Sequence, residues 1–287
     1  MAVCNIETTI IDCLVICFLA TTGLLVSLRK IREYYANEDF FFVRSEGRFH
    51  RHFFNIRNRN GKELGNLYFD RYASAGNELY VWVKVENSVL YDRSLLEIVK
   101  RLPDLLGLEF NGITSLDLAR DFSYDIASRI RSLMRREDLA VIINGKEVRD
   151  RNKTLKGIVR TCGMSLAKDG KKGLTIKQAK AAKNKHRGIT LDCYDKAEEI
   201  ENASGKQYIS DFYGNRKRLH RLELRMNCEQ IKRAFKATWL KPSLEYLENQ
   251  KLLDYLFIYA LQSVLRFRHG RKVLEWEDLF KVRCQAI

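Results

Sequence analysis

Three short stretches of this chain carry side chains whose types and spacing could do chemistry. In "SLDLARDF" the alternation of a strand puts Leu116, Leu118 and Phe122 in one row with Arg120 among them, and Asp117 and Asp121 together in the other. In "ITLDCYDKAEEI", Ile189, Leu191 and Cys193 form the apolar row, leaving Thr190, Asp192, Tyr194 and Lys196 opposite. In "HRLELRMN", Leu222, Leu224 and Met226 point one way and Arg221, Glu223 and Arg225 the other. Were these strands neighbours in one sheet, its non-core face would carry Asp117, Asp121, Glu223, Tyr194 and Lys196 together.

Such a set has a chemical meaning. Clustered carboxylate oxygens suit Mg²⁺ or Mn²⁺, and a metal of that kind polarises a phosphodiester oxygen. A tyrosine hydroxyl alongside is a nucleophile for phosphorus. Crowded carboxylates without a cation repel and raise one another's pKa, so the cluster calls for a metal or for its basic neighbours. The competing reading is a solvated sheet face laced with ion pairs, Asp117 to Arg225 for instance.

The elements that must position these rows follow from periodicity. Ile10 to Phe18 is short, apolar and β-branched, as in a buried strand, whereas Leu24, Leu28, Ile31 and Tyr35 share one face at helical spacing. The stretch from 40 to 86 reads as three or four antiparallel strands, turning at "RNG" near Gly61 and "SAGN" near Gly76. A helix follows in "SLLEIVKRLPDLLGL", closed near Gly107, then the "SLDLARDF" strand, a helix in "DIASRIRSLMRRE", and strands through "AVIIN" and "TLKGIVRTCGMSLAK". Beyond Cys228 the pattern is helical, with one long helix expected to open at Ser243.

The fold class expected is α+β, with antiparallel sheets, helices packed on one face, a duplicated unit as one option, and a helical C-terminal tail. The domain division expected is 6–235, with halves 6–110 and 111–235, followed by 236–287.

Composition narrows the partners. With 51 Lys and Arg against 36 Asp and Glu, the 287-residue chain carries a formal charge of +15, which selects for a polyanion such as nucleic acid. Its 46% of apolar residues are ample for a core. The 7 cysteines, odd in number and never spaced as CxxC, fit a reducing cytoplasm rather than a disulfide scaffold or a zinc ribbon. The apolar run near the start has the density of a membrane anchor but contains Asp12 and follows no basic residue, so a strand and an amphipathic helix explain it better.

"KDGKKGLTIKQAKAAKNKHR" holds eight Lys or Arg against one Asp. Lys177, Lys180 and Lys183 recur there at helical spacing, with Lys185 and Arg187 just beyond. It precedes the Tyr194 strand and is well placed to grip a phosphate backbone. Arg216, Lys217, Arg218, Arg221 and Arg225 extend the same set, and Arg266, Arg268, Arg271 and Lys272 form a second one. "RFHRHFF" puts His50 and His52 on one strand face, but with Arg51 between them, so phosphate contact or plain surface suits them better than a metal.

At these residues the sequence resembles the replication initiation factor family, the rolling-circle initiators of small plasmids and some single-stranded DNA phages. "SLDLARDF" is similar to the family's aspartate strand, "CYDKAEE" to its Tyr-x-Lys strand with trailing acid, and "RLELRM" to its Arg-x-Glu strand. The order agrees, as do the early Asp12 and the segment "GKELGNLYFD". The resemblance covers most of residues 6 to 235, and "CGMSLAKDG" departs from it by lacking a tyrosine.

It implies a fold related to the His-hydrophobe-His nucleases. It also implies a DNA nicking and joining enzyme that forms a phosphotyrosine bond and frees a 3′-hydroxyl. The carry-over makes Asp117, Asp121, Glu223 and Glu198 metal ligands for Mg²⁺ or Mn²⁺ and gives Lys196 a phosphate. The nucleophile is Tyr194, or Tyr213 with Tyr208 close by in a loop. Origin DNA, single-stranded or supercoiled, is the implied partner, with host helicase and polymerase, a homodimer as one option, and no stable membrane association. A DNA-binding protein on the same fold without chemistry stays open as the alternative, and a membrane-anchored basic protein as a third.

Overall fold

The computed structural model describes residues 8–35, 39–46, 52–69, 79–158, 173–177 and 188–280. In chain order the elements begin with β1 (Ile10–Ala20), α1 (Thr22–Lys30), β2 (Glu33–Tyr35), β3 (Phe41–Ser45), β4 (His52–Arg57), β5 (Glu63–Phe69) and β6 (Leu79–Val85). Three helices follow, α2 (Asn87–Tyr91), α3 (Arg93–Lys100) and α4 (Leu102–Leu106), and then β7 (Glu109–Phe122). Next come α5 (Ile126–Arg135), β8 (Ala140–Ile143), β9 (Lys146–Glu147), α6 (Arg151–Ile158), β10 (Leu174–Lys177) and β11 (Thr190–Asp195). The chain continues through α7 (Lys196–Glu199), α8 (Gln207–Phe212), β12 (His220–Asn227), α9 (Cys228–Ala237), α10 (Gln250–Val264), β13 (Leu265–His269), β14 (Lys272–Val273) and α11 (Trp276–Phe280). The fold is α+β, and every strand pair with a described register is antiparallel.

The chain divides into two compact units. One comprises Ile10–Leu118 and Met226–Leu253; the other comprises Met1–Thr9, Ala119–Arg225 and Asp254–Ile287. In the first unit the strands run in the order β7-β1-β6-β5-β4-β3-β2. Alternation buries Phe42, Phe54, Ile56, Leu67, Phe69, Val81 and Val83 on one face, all at most 1% exposed. Gly65 sits where β5 crosses β6: at φ +156 a Cβ there would lie 2.3 Å from the Lys84 carbonyl, so only glycine fits. Helix α1 is capped at its start by Thr21, which accepts from the Leu24 amide at 3.4 Å. At its end the Arg44 guanidinium donates to the carbonyls of Leu28 and Arg29, both at 2.8 Å.

In the second unit the strand order is β10-β11-β12-β7, and a separate four-stranded sheet runs β14-β13-β8-β9. Helix α5 buries Ile126, Ile130, Leu133 and Met134 and packs on β11. Arg120, the charge in the apolar row of β7, donates to Thr9 Oγ1 at 2.8 Å and to Asp254 of α10 at 2.9 Å, with its guanidinium 4.7 Å from the Phe257 ring. That set of partners explains how an arginine is accommodated among leucines.

Four expectations change. The first helix ends at Lys30, and Tyr35 lies in β2, because Ile31 takes an extended backbone. The segment expected as a strand from Thr154 is helical as far as Ile158, and its remainder lies outside the described residues. The long helix starts at Gln250 rather than Ser243, with a single 3₁₀ turn at Glu245–Glu248 before it. It stops at Val264, where alternation of Leu265 and Phe267 with Arg266 and Arg268 makes β13 pair with β8. The helical C-terminal part therefore also contains a hairpin. The apolar run near the start is a strand and a 9-residue helix, and among the described residues no helix is long and apolar enough to cross a membrane. The turn expected near Gly76 and the end of "GKELGNLYFD" at Asp70 lie outside the described residues.

Candidate functional site

Strands β10, β11 and β12 bring the tyrosine row and the glutamate row together. Asp192 faces Glu223, Tyr194 faces Arg221 and Thr190 faces Arg225, while Thr175 and Lys177 of β10 face Asp192 and Thr190. Directly opposed residues in a sheet share a face, so these side chains form three cross-strand rows on one side. The other side carries Leu174, Leu191, Cys193, Leu222 and Leu224, none of them exposed.

The rows grade from open to closed. Lys177 and Arg225 are exposed, and Asp192 and Glu223 in the middle row are 8% and 4% exposed. Arg221 in the third row is fully buried. Its guanidinium grips Asp121 of β7 through two hydrogen bonds, Nε to Oδ1 at 2.8 Å and Nη2 to Oδ2 at 2.6 Å.

From the third row the Tyr194 hydroxyl donates at 2.8 Å to Oε2 of Glu223 in the middle row. The other oxygen, Oε1, accepts from Arg225 Nε at 2.8 Å, and Arg225 Nη2 also lies 3.3 Å from Asp192 Oδ2. Thr175 donates to the remaining Asp192 oxygen at 2.6 Å. A nearly buried glutamate thus holds a tyrosine hydroxyl on one side and a half-exposed guanidinium on the other.

Lys196 lies in helix, not in the strand. It opens α7, whose first amides are satisfied by the Leu219 carbonyl and by the N-cap Asp195, which accepts from the Glu198 amide at 3.0 Å. The residue is 2% exposed, and its ammonium lies 5.6 Å from the centre of the Tyr194 ring and 2.7 Å from Glu199 Oε2, close enough for an ion pair though not aligned as a hydrogen bond. Glu198 is half-buried on the same short helix.

Tyr208 and Tyr213 are not in a loop. Tyr208 lies within α8, and Tyr213 closes that helix with its ring 1% exposed and 5.0 Å from Phe212, edge to face. The turn beyond it, with Gly214 and Asn215 both at positive φ, leads into exposed Arg216, Lys217 and Arg218. Lys177 ends a strand and is not part of a helical ridge; Lys180, Lys183, Lys185 and Arg187 lie outside the described residues.

The donor set fits a divalent cation poorly as arranged. Asp121 is saturated by Arg221, both Glu223 oxygens are taken, and Asp117 belongs to the other unit, on the part of β7 before Ala119. Among the described residues no group of three or more His, Cys, Asp or Glu converges on one point. Asp192 was on the right face by alternation but carried no role in the sequence reading; standing two residues before Tyr194 was its signal. Asp12 accepts from Tyr91 at 2.9 Å and from Asn87 at 3.3 Å, tying β1 to α2. His52 stacks on Phe69 at 4.8 Å and contacts Arg44, a packing role, and His50 lies outside the described residues.

By sequence, the chain matches no family profile and no curated protein. Among solved structures it is similar to a rolling circle replication initiator protein from Geobacillus stearothermophilus, with 14% identity over 92% of this chain and 89% of that one, at a TM-score of 0.44.

Proposed function

We propose that the chain nicks and rejoins single DNA strands through Tyr194, as an initiator of rolling-circle replication would. The observation that carries this reading is the 2.8 Å hydrogen bond from the Tyr194 hydroxyl to Glu223, beside the exposed guanidinium of Arg225. In the proposed step the phenolic oxygen attacks phosphorus while its proton passes to the Glu223 carboxylate. The bond from phosphorus to the 3′-oxygen breaks, and that oxygen takes a proton from water, leaving a 3′-hydroxyl and a 5′-phosphotyrosine. Attack of a 3′-hydroxyl on the same phosphorus reverses the sequence and rejoins the strand.

Arg225 is the group best exposed to meet the phosphate. Arg216, Lys217, Arg218 and Lys177 supply positive charge for the flanking backbone. Tyr213 is a weaker nucleophile candidate than Tyr194 because its ring is buried.

A second reading, a DNA-binding protein without chemistry, is favoured by one fact. Asp121 and Glu223, two of the carboxylates that would hold a metal, already have arginine partners. A single experiment separates the two. The protein is incubated with a library of random single-stranded DNA and run on a denaturing gel, alongside Tyr194→Phe and Glu223→Gln. A covalent adduct is expected with the native chain and none with Tyr194→Phe. Glu223→Gln should slow adduct formation by about 10²- to 10⁴-fold, since an amide accepts the hydrogen bond but not the proton. Retained DNA binding with no adduct from the native chain selects the second reading.

A further inference from the structure

The first unit has a sheet face that the Tyr194 chemistry leaves unused. Opposite the buried row of Phe54, Leu67 and Val83, strands β4, β5 and β6 turn out an aromatic ladder. Phe53 faces Tyr68 and Tyr68 faces Trp82 in register. The ring centres are 6.1 Å apart at each step, with interplanar angles of 10° and 13°. All three rings are half-buried. The next row on the same face is polar: Asn55 faces Asn66, and Asn66 faces the exposed Lys84.

Aromatic cross-strand pairs stabilise any sheet, so the rings alone decide nothing. The polar row beside them does. An apolar protein surface laid on this face would bury two carboxamides and an ammonium without partners, each at a cost. A single-stranded nucleic acid answers all of them: base faces stack on rings, base edges hydrogen-bond to carboxamides, and phosphates take up the lysine.

We propose that this face is a binding site for single-stranded nucleic acid, with bases stacked along Phe53, Tyr68 and Trp82 and backbone held by Lys84. The site is built by β4, β5 and β6 and does not depend on the proposed nicking reaction.

Trp82 is its own reporter. Trp239 is replaced by Phe to silence the exposed indole, and Trp276, at 1% exposure, is shielded from added bases. Short oligo-dT and oligo-rU are then titrated separately into the full chain, and the tighter of the two names the source of the strand. Saturable quenching of Trp82 is expected, with duplex DNA a poor competitor. Affinity, read by anisotropy of labelled oligonucleotide, should fall about tenfold in Trp82→Leu, the scale of one lost stacking contact. In Lys84→Glu it should fall with a shallower salt dependence.

Lys84 is exposed, so that variant keeps the test valid if Trp82→Leu does not fold. Absence of quenching by both oligonucleotides, or unchanged affinity in Lys84→Glu, overturns the proposal. Self-association that quenches Trp82 without nucleic acid overturns it too and assigns the face to a second copy. Tyr194→Phe should quench like the native chain, so loss of the adduct and loss of this site are read separately.

Discussion

Arg221 and Asp121, a hundred residues apart in sequence, form a two-pronged ion pair with neither side chain exposed at all. The charges are fully desolvated, and each is the other's partner for two hydrogen bonds. Asp121→Ala would take the bidentate carboxylate away from a fully buried guanidinium, at a cost of about 3–5 kcal/mol in unfolding free energy. Replacing both partners with apolar residues, Asp121→Leu with Arg221→Met, should recover most of that loss. Urea denaturation of the three proteins checks it. A loss under about 1 kcal/mol in Asp121→Ala would mean that the pair is not structural.

The same pair shows where sequence reading stops. Period-2 alternation placed Tyr194, Glu223, Arg221, Arg225 and Asp121 on polar rows, and register brings the first four onto one face of β11 and β12. Alternation is a property of the single strand and survives any packing. It cannot say which polar positions are covered, because that depends on what is laid over them. Arg221 and Asp121 read as DNA and metal ligands only while their face was taken to be open. Lys196 fell out of its row for a local reason: Asp195 is a good N-cap and "KAEE" continues as helix. Tyr213 read as a loop residue because α8 spans only 6 residues, too few for a periodic signal.

Arg225 stands between two carboxylates, bonded to Glu223 and 3.3 Å from Asp192. Arg225→Ala should therefore expose a pair of facing acids that repel each other and attract a hard cation. Thermal melting with and without Mn²⁺ tests this. The variant is expected to melt lower than the native chain in chelator and to gain more from Mn²⁺. Equal Mn²⁺ shifts in the two proteins would show that the guanidinium is not holding that position against a cation.

Asp125 caps α5, accepting from the Ser128 amide at 2.8 Å and from its hydroxyl at 2.7 Å. Burial alone would raise its pKa, but the two Ser128 hydrogen bonds, with His220 and Arg131 nearby, hold it below the usual carboxylate range. A carboxyl lowered in the folded state stabilises above its unfolded pKa, and that contribution fades as pH falls through the folded value. Asp125→Ala should cost about 1 kcal/mol near neutrality, a typical N-cap loss. The side chain is 48% exposed, so solvent screens the purely electrostatic share. Urea midpoints taken from neutral pH downward should converge for the two proteins once the ordinary carboxylate range is passed. A gap that stays constant with pH would show that the charge of Asp125 plays no part.

Trp239 presents a different imbalance, with 96% of its surface exposed and its backbone at φ 60. A side chain with a Cβ loses about 1–2 kcal/mol in that left-handed region, and an exposed indole recovers nothing by burial. Glycine adopts the same backbone without the clash, at the cost of a more flexible unfolded chain. Since the strain relieved is the larger quantity, Trp239→Gly should raise unfolding free energy by up to about 1 kcal/mol. The helix it follows should be unaffected, because the Trp239 amide keeps its bond to the Lys236 carbonyl at 3.2 Å. Urea unfolding with far-ultraviolet detection gives the sign directly. A lower midpoint in the glycine variant would mean that the indole makes a stabilising contact in solution.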